Sequence, residues 1–398
     1  MAVTTAFRFE YRPATIRYGT GSVAHLAAEL DAIGVDSALV VCGQTVGSTP
    51  AVLDPVKEGL GDRLAGVFAE TTPQKRISTA IAAVGRMQEL GAEALVGLGG
   101  GSSLDVANIA AAIDTKPGAP EEIGAEFEET GTLTVDEQEP PVVAVPTTLA
   151  GAELSQVAGV NADPETCPVD ERVTGGVSHP ALMPEAVVAD PELFATTPQD
   201  VLTASAMNGF DKGVETLYTH NTTPVTDATA TRGLQYLVDS LPELGERVDV
   251  EVVEPAVKGL LLVQYGISRP DQGTLSLIHA YGHGLTAFSD IQQGAAHAVI
   301  APHALRYLFE QVDGRRELLA AALNAPDADD PAEAAVAAVQ RVRDGLGLPA
   351  RLRDTRGPDP DQFEVVAQAV KEDRFMPDAP AGLEPTVEEL EAVLQAAY

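Results

Sequence analysis

The chain has 398 residues, of which 45% are hydrophobic, and its 25 Lys and Arg face 59 Asp and Glu for a net charge of −34. That length predicts two domains, because one hydrophobic core rarely grows past roughly 250–300 residues. The acid excess opposes binding to nucleic acid or to an anionic membrane surface, and no run of about 18 apolar residues is present to span a bilayer.

The acid residues are spread along the whole chain, and lysine is confined to Lys57, Lys75, Lys116, Lys212, Lys258 and Lys371. An acidic, lysine-poor surface stays soluble where concentrated salt screens its self-repulsion. The composition therefore predicts a cytoplasmic protein of a salt-accumulating organism. Residues 1–8 show no apolar stretch of the kind that forms a secretory leader. Cys42 and Cys167 are isolated thiols, which suggest neither a disulfide framework nor a Cys-rich zinc site.

The first half alternates short apolar runs with helical patterns. Strands are predicted at 37–42 (SALVVC), 64–69, 94–98, 142–145 and 186–189, with amphipathic stretches such as 77–90 between them. This alternation predicts a parallel sheet with helices on both faces. After Asp190-Pro191 the strand signal ends. Helices are predicted at 200–217, 226–241, 254–268, 273–286, 334–346, 361–371 and 387–397, with breaks at Pro224, Pro242, Pro270, Pro331 and Pro349. The expected fold is an α/β domain over 1–190 followed by an all-α domain over 191–398. A ligand is expected at the carboxyl ends of the strands, facing the helical half across a cleft.

The run Gly97-Leu98-Gly99-Gly100-Gly101-Ser102-Ser103 follows a predicted strand and precedes a helix predicted at 104–112. Glycines there let the backbone approach a pyrophosphate, and the helix N-terminus offers it unpaired N–H groups. Ser102 or Ser103 can cap that helix. The competing reading is a tight strand-to-helix turn without a ligand, since the spacing is not G-x-G-x-x-G. Thr147 and Thr148, just after the strand at 142–145, can reach a phosphate or ribose, although such a turn alone is more often only a turn.

In combination these features resemble the iron-containing alcohol dehydrogenase superfamily. The resemblance is carried by GGGSSLD at 99–105, Pro146-Thr147-Thr148, the helix at 208–218 and His279-x-x-x-His283. The opening IRYGTGS at 16–22 is also similar, so the likeness covers about residues 10–310. It implies a dinucleotide-binding α/β domain and a helical C-terminal domain. It implies that Gly43, Gly99, Gly100, Gly101, Ser102, Asp105, Thr147 and Thr148 bind NAD or NADP. It also implies a small alcohol, aldehyde or keto acid as substrate, and makes a homo-oligomer plausible.

The family holds a divalent metal with an Asp and a His four apart, a His on a later helix and a His in the loop beyond. These positions are Asn208, Lys212, His279 and Gln293 here, so three of the four are changed. Amide oxygens are weak ligands for transition metals and a protonated lysine repels one, so no divalent metal is expected. A rearranged site using Asp211, His279 and His283 or His297 is the alternative. The maleylacetate reductases of this superfamily work without metal, and the VETLY run at 214–218, the HAVIAPH run at 297–303 and Asn208 resemble theirs. That group keeps a His where this chain has Lys212 and a histidine-bearing loop where it has Gln293.

Hydride transfer requires a charge or donor to polarise the substrate oxygen. Asn208, Lys212 and Glu215 share a helical face. Lys212 is therefore the candidate cation, with His279 and His283 as donors or a proton relay. The plainer alternative is a surface Lys212 paired with Glu215 or Asp211. Arg269 and Arg172 are candidate carboxylate contacts, against the simpler reading of solvated arginines. The second strand ends Val41-Cys42-Gly43-Gln44, with no carboxylate to repel a 2′-phosphate, so NADP fits as well as NAD. Two competing functions are a metal-requiring cyclase like dehydroquinate synthase and a non-catalytic nucleotide-binding descendant.

Overall fold

In the strand of residues 38–43 (ALVVCG), five of six residues are buried. Leu39 and Val41 join the core on one face of the sheet, while Ala38, Val40 and Cys42 join the core on the other. Side chains alternate across a strand, so a strand covered on both faces needs apolar residues at every position. The computed structural model describes residues 6–12, 14–114, 116, 120–135, 140–270 and 272–398. Residues 1–5 of the stretch in which no secretory leader was expected lie outside the described residues.

Two compact units divide between Thr197 and Pro198. The first, Tyr11–Thr197, runs β1 (Thr15–Tyr18), α1 (Leu26–Ile33), β2 (Ala38–Gly43), α2 (Gln44–Gly47), α3 (Pro50–Leu60) and β3 (Leu64–Thr71). It continues through α4 (Ile77–Leu90), β4 (Ala94–Gly99), α5 (Gly101–Asp114), α6 (Pro120–Thr130) and β5 (Val142–Pro146). It ends with β6 (Val157–Ala162), β7 (Val173–Ser178), β8 (Ala186–Ala189) and α7 (Pro191–Phe194). Six strands form a sheet in the order β1-β8-β5-β4-β2-β3, every pair parallel. The chain leaves β2 toward β3 on one side and β4 toward β5 on the other. The loops after Gly43 and Gly99 therefore flank the switch point, where such sheets bind ligands.

All five strands expected from apolar runs are present. The antiparallel pair β6–β7 is not among them. Its second strand, VTGGVS, carries two glycines and little apolar signal. Gly175 is required there by packing, since a Cβ would come within 2.1 Å of the Gly131 carbonyl. The unit also runs past the expected limit at 190. Asp190 caps α7 and accepts from the Val23 N–H (3.1 Å), and the Thr197 hydroxyl donates to Thr147 O (2.7 Å).

In the second unit, 198–398 with residues 6–10, every regular element among the described residues is a helix. It comprises α8 (Gln199–Tyr218), α9 (Pro224–Leu244), α10 (Val250–Ile267), α11 (Leu277–Ala287) and α12 (Gln293–Gln311). It continues with α13 (Arg316–Ala322), α14 (Pro331–Gly345), α15 (Phe363–Glu372) and α16 (Val387–Ala397). Helix α9 runs through Pro242, where a break was expected, and ends at Leu244. Helix α12 was not foreseen, because Gly294 and Pro302 interrupt its pattern. The structure continues the helix through Pro302, and Gly294 is demanded by contact, with a Cβ meeting Ala204 O at 2.2 Å. No helix among the described residues is long and apolar enough to cross a membrane.

His303 on α12 gives this unit an acid sensitivity. Burial, then the charges of Arg306 and Arg343, push its pKa from 6.5 down to about 4. The unfolded chain takes up that proton near 6.5 while the folded chain resists it. The stabilisation is fully present above pH 6.5 and is lost as pH falls toward 4. His303→Asn is expected to flatten that part of the stability curve. Denaturant titrations at pH 4.5 and 7 check this, and an unchanged slope would count against it.

Candidate functional site

In the sheet unit, β4 ends at Gly99, whose φ of +130° lies in a region L side chains rarely adopt. The next two glycines are constrained by neighbours. A Cβ at Gly100 would lie 3.1 Å from Thr148 Cγ2, and one at Gly101 3.3 Å from Ala152 Cβ. The Thr147 N–H donates to Gly99 O (3.0 Å), so the Pro146-Thr147-Thr148 turn and the glycine loop form one bare-backbone cradle. Helix α5 starts at Gly101, earlier than the expected 104. Ser102 and Ser103 thus stand in its first turn, and Ser103 Oγ bonds Thr71 Oγ1 (2.7 Å). A half-buried loop of this shape at a helix N-terminus can hold a pyrophosphate.

Asp105 stands further along α5. Its Oδ2 accepts from Lys75 Nζ (2.5 Å) and from the Gly159 N–H (3.2 Å), tying α5 to the turn after β3 and to β6. Gly43 closes β2, and a Cβ there would lie 3.3 Å from Thr71 O.

In the helical unit, α8 carries Asn208, Asp211, Lys212 and Glu215. Glu215 is fully buried and serves as a hub. Its Oε1 accepts from the N–H groups of Ile278 (2.6 Å) and His279 (3.2 Å) and from Tyr218 OH (2.9 Å). Its Oε2 meets His279 Nδ1 at 2.5 Å. The carboxylate therefore covers the N-terminus of α11, a favourable place for negative charge, and orients the imidazole. Burial pushes the Glu215 pKa up to about 7 and, with the charges of Lys212 and His283, pushes that of His279 well below 6.5. His279 Nε2 is left buried without a hydrogen-bond partner.

Behind His279 stands His297 of α12, ring centroids 4.5 Å apart and edge-on. Its Nδ1 lies 3.2 Å from Asp211 Oδ2, within ion-pair reach but outside hydrogen-bond alignment. Burial, then the charges of His279, His283 and Lys212 among others, holds the His297 pKa well below 6.5. Burial and the neighbouring Glu215 raise that of Asp211. The packing admits only glycine at 282, since a Cβ there would lie 2.4 Å from His297 Nε2. Lys212 is half-buried and donates to Gln264 Oε1 (3.4 Å). His283 is half-buried and bonds Asp373 Oδ2 through Nδ1 (2.8 Å).

The structure thus gathers Lys212, His279 and His283 in one cluster, with Asn208 one turn before Lys212 on α8. It separates others. Glu215 is committed to α11 rather than standing as a surface partner of Lys212. Gln293 is exposed at the first residue of α12. Arg269 donates to Gln272 Oε1 and Asn221 O and stacks on Phe9, and Arg172 is exposed at the edge of β7. The sequence reading missed Asp373 and Phe375, which lie in no recognisable motif. It also missed the hub role of Glu215, whose only signal was a carboxylate on the α8 face.

At the family metal positions the residues present do not fit a divalent ion. Lys212 is a cation, Asn208 and Gln293 offer only amide oxygens, and His279 is a single good donor. Among the described residues, no group of three or more His, Cys, Asp or Glu side chains is placed to hold a metal, the rearranged set included.

The description "Iron-containing alcohol dehydrogenase" matches residues 13–191, and that of the C-terminal part of the Fe-containing alcohol dehydrogenase family matches residues 202–398. A maleylacetate reductase of Burkholderia cepacia is 28% identical over 379 residues, covering 92% of this chain and 96% of that protein. An NAD-dependent methanol dehydrogenase of Bacillus methanolicus is 26% identical, covering 91% and 92%. The crystal structure of a maleylacetate reductase from Agrobacterium tumefaciens matches 99% of both chains with a TM-score of 0.78 at 23% identity. Two matched halves spanning nearly the whole sequence, on a parallel sheet unit and a helical unit, establish that this chain belongs to the iron-containing alcohol dehydrogenase family.

Proposed function

We propose that the protein is an NAD(P)-dependent oxidoreductase that interconverts an alcohol and a carbonyl, with the Lys212 ammonium acting where relatives place a divalent metal. The observation that carries this reading is electrostatic. Lys212 is close enough to His279 and His297 that its charge helps depress both their pKa values. A fixed cation beside an orphaned, buried imidazole nitrogen is an arrangement for stabilising a developing oxyanion.

The glycine cradle of Gly99, Gly100 and Gly101, with Ser102, Thr147 and Thr148, would hold the cofactor pyrophosphate. Gly43 at the end of β2 brings no carboxylate against a 2′-phosphate, so both NAD and NADP suit it. Asp105 serves this site by holding α5 in place. The cofactor supplies or accepts the hydride when bound. Lys212 balances the charge on the substrate oxygen. His279 gives that oxygen a proton from Nε2 in reduction and removes it in oxidation, and Nδ1 exchanges its proton with Glu215 in step. Burial disfavours both an ionised Glu215 and a charged His279, so the pair works through neutral imidazole. A cation in the site suits an anionic carbonyl compound, and a keto acid is the substrate class we favour.

The test is oxidation of NADH and NADPH in molar potassium chloride, with a panel of aldehydes and keto acids. The enzyme is first dialysed against chelator and its metal content measured. Turnover by metal-free protein, strongest with keto acids, is expected. One tightly held zinc or iron per chain, required for turnover, overturns the role of Lys212.

A further inference from the structure

We propose that Asp373 is a positioning residue that makes the segment after α15 part of the catalytic cluster, by fixing His283 and Phe375 with one carboxylate. The proposal rests on the hydride-transfer reading above. Each oxygen of Asp373 holds a different element. Oδ2 accepts from His283 Nδ1 on α11 (2.8 Å), and Oδ1 accepts from the Phe375 N–H (2.9 Å) in the turn that follows α15. The Met376 N–H closes that turn on Asp373 O (3.0 Å). The Phe375 ring then stands against both imidazoles, 5.0 Å from His283 at a 33° tilt and 6.1 Å from His279 edge-on. Arg374 covers the Phe375 ring at 4.9 Å.

The chemical consequence follows from the acceptor. A carboxylate can only accept, so Asp373 holds a proton on His283 Nδ1 and leaves Nε2 as the ring nitrogen available for exchange. The side chain of His283 is 35% exposed, whereas that of His279 is 3% exposed. His283 is therefore the imidazole of the pair with access to solvent. Fixing its tautomer and its ring plane fixes the direction in which a proton can pass between His279 and bulk water. Aspartate is needed for this role, because an asparagine amide reaching Nδ1 donates to it and moves the proton to Nε2.

The experiment compares wild type, D373N, H283Q and the double variant in steady state, and reads the His283 ring nitrogens by long-range proton–nitrogen NMR. D373N is expected to lower kcat about tenfold with the cofactor KM unchanged. That loss is expected to vanish in the H283Q background, and the His283 proton to move from Nδ1 to Nε2. An equal loss in the H283Q background, or the same tautomer in D373N and wild type, overturns the proposal. If D373N does not fold, F375L replaces it, with a severalfold drop in kcat expected and unchanged His283 signals and kcat counting against it. The NMR result stands without turnover. A wild type that fails to oxidise any cofactor refutes the proposed function alone, while an unshifted tautomer refutes the role of Asp373 alone.

Discussion

Replacing Lys212 with Met should lower kcat by about 10²–10³ while cofactor affinity and thermal stability stay near wild type. The magnitude is that of removing one preorganised group that stabilises an oxyanion, about 3–4 kcal/mol. Methionine keeps the length and apolar stem of the lysine, so Phe210, Val214 and the rest of α8 need not repack. Removing the charge also relieves the electrostatic pressure on His279 and His297, whose pKa values should move back up. Stopped-flow single turnovers and equilibrium cofactor titration separate the two quantities. A K212M enzyme that turns over as fast as wild type would remove the lysine from the mechanism.

Glu215 should have the largest effect on both fold and chemistry. It is fully buried, accepts from Ile278 N–H, His279 N–H and Tyr218 OH, and shares a hydrogen bond with His279 Nδ1. Glu215→Leu strands those groups without water, at about 1–3 kcal/mol each, enough to threaten folding of the helical unit. Glu215→Gln is the gentler and more informative change. The amide oxygen can still accept from the α11 N–H groups, but the amide nitrogen donates to His279 Nδ1 and holds the Nε2 proton in place. The pair can then no longer pass a proton, and kcat should fall about 10²–10⁴-fold with folding largely kept. Near-normal activity in E215Q would show that the imidazole carries no proton in the reaction.

Asn208 and Lys212 lie on the same α8 face as the hub Glu215 and the buried Asp211. His279 and His283 are hydrogen-bonded to the carboxylates of Glu215 and Asp373, and His297 lies within ion-pair reach of Asp211. Those carboxylates orient the imidazoles that stand with Lys212 in the cluster.

The sequence by itself determined the parallel sheet and the helical half, because both follow from local periodicity. The run SALVVC at 37–42 reads as a strand covered on both faces, and the glycines after the strand at 94–98 as a tight turn into a helix. Through the family resemblance it also implied an altered metal set, with Asn208, Lys212 and Gln293 as the residue types at three of the four positions. Tertiary structure alone decided which polar groups meet. Helix α12 was hidden because Gly294 and Pro302 break its pattern, and their reason is contact with Ala204 and packing in the unit rather than local propensity. Glu215 reaches the start of α11 across 63 residues of chain, and Asp373 reaches His283 across 90. No spacing rule encodes such pairs. They exist because buried carboxylates must find donors, and the packing of α8, α11 and the turn after α15 determines which donors are within reach.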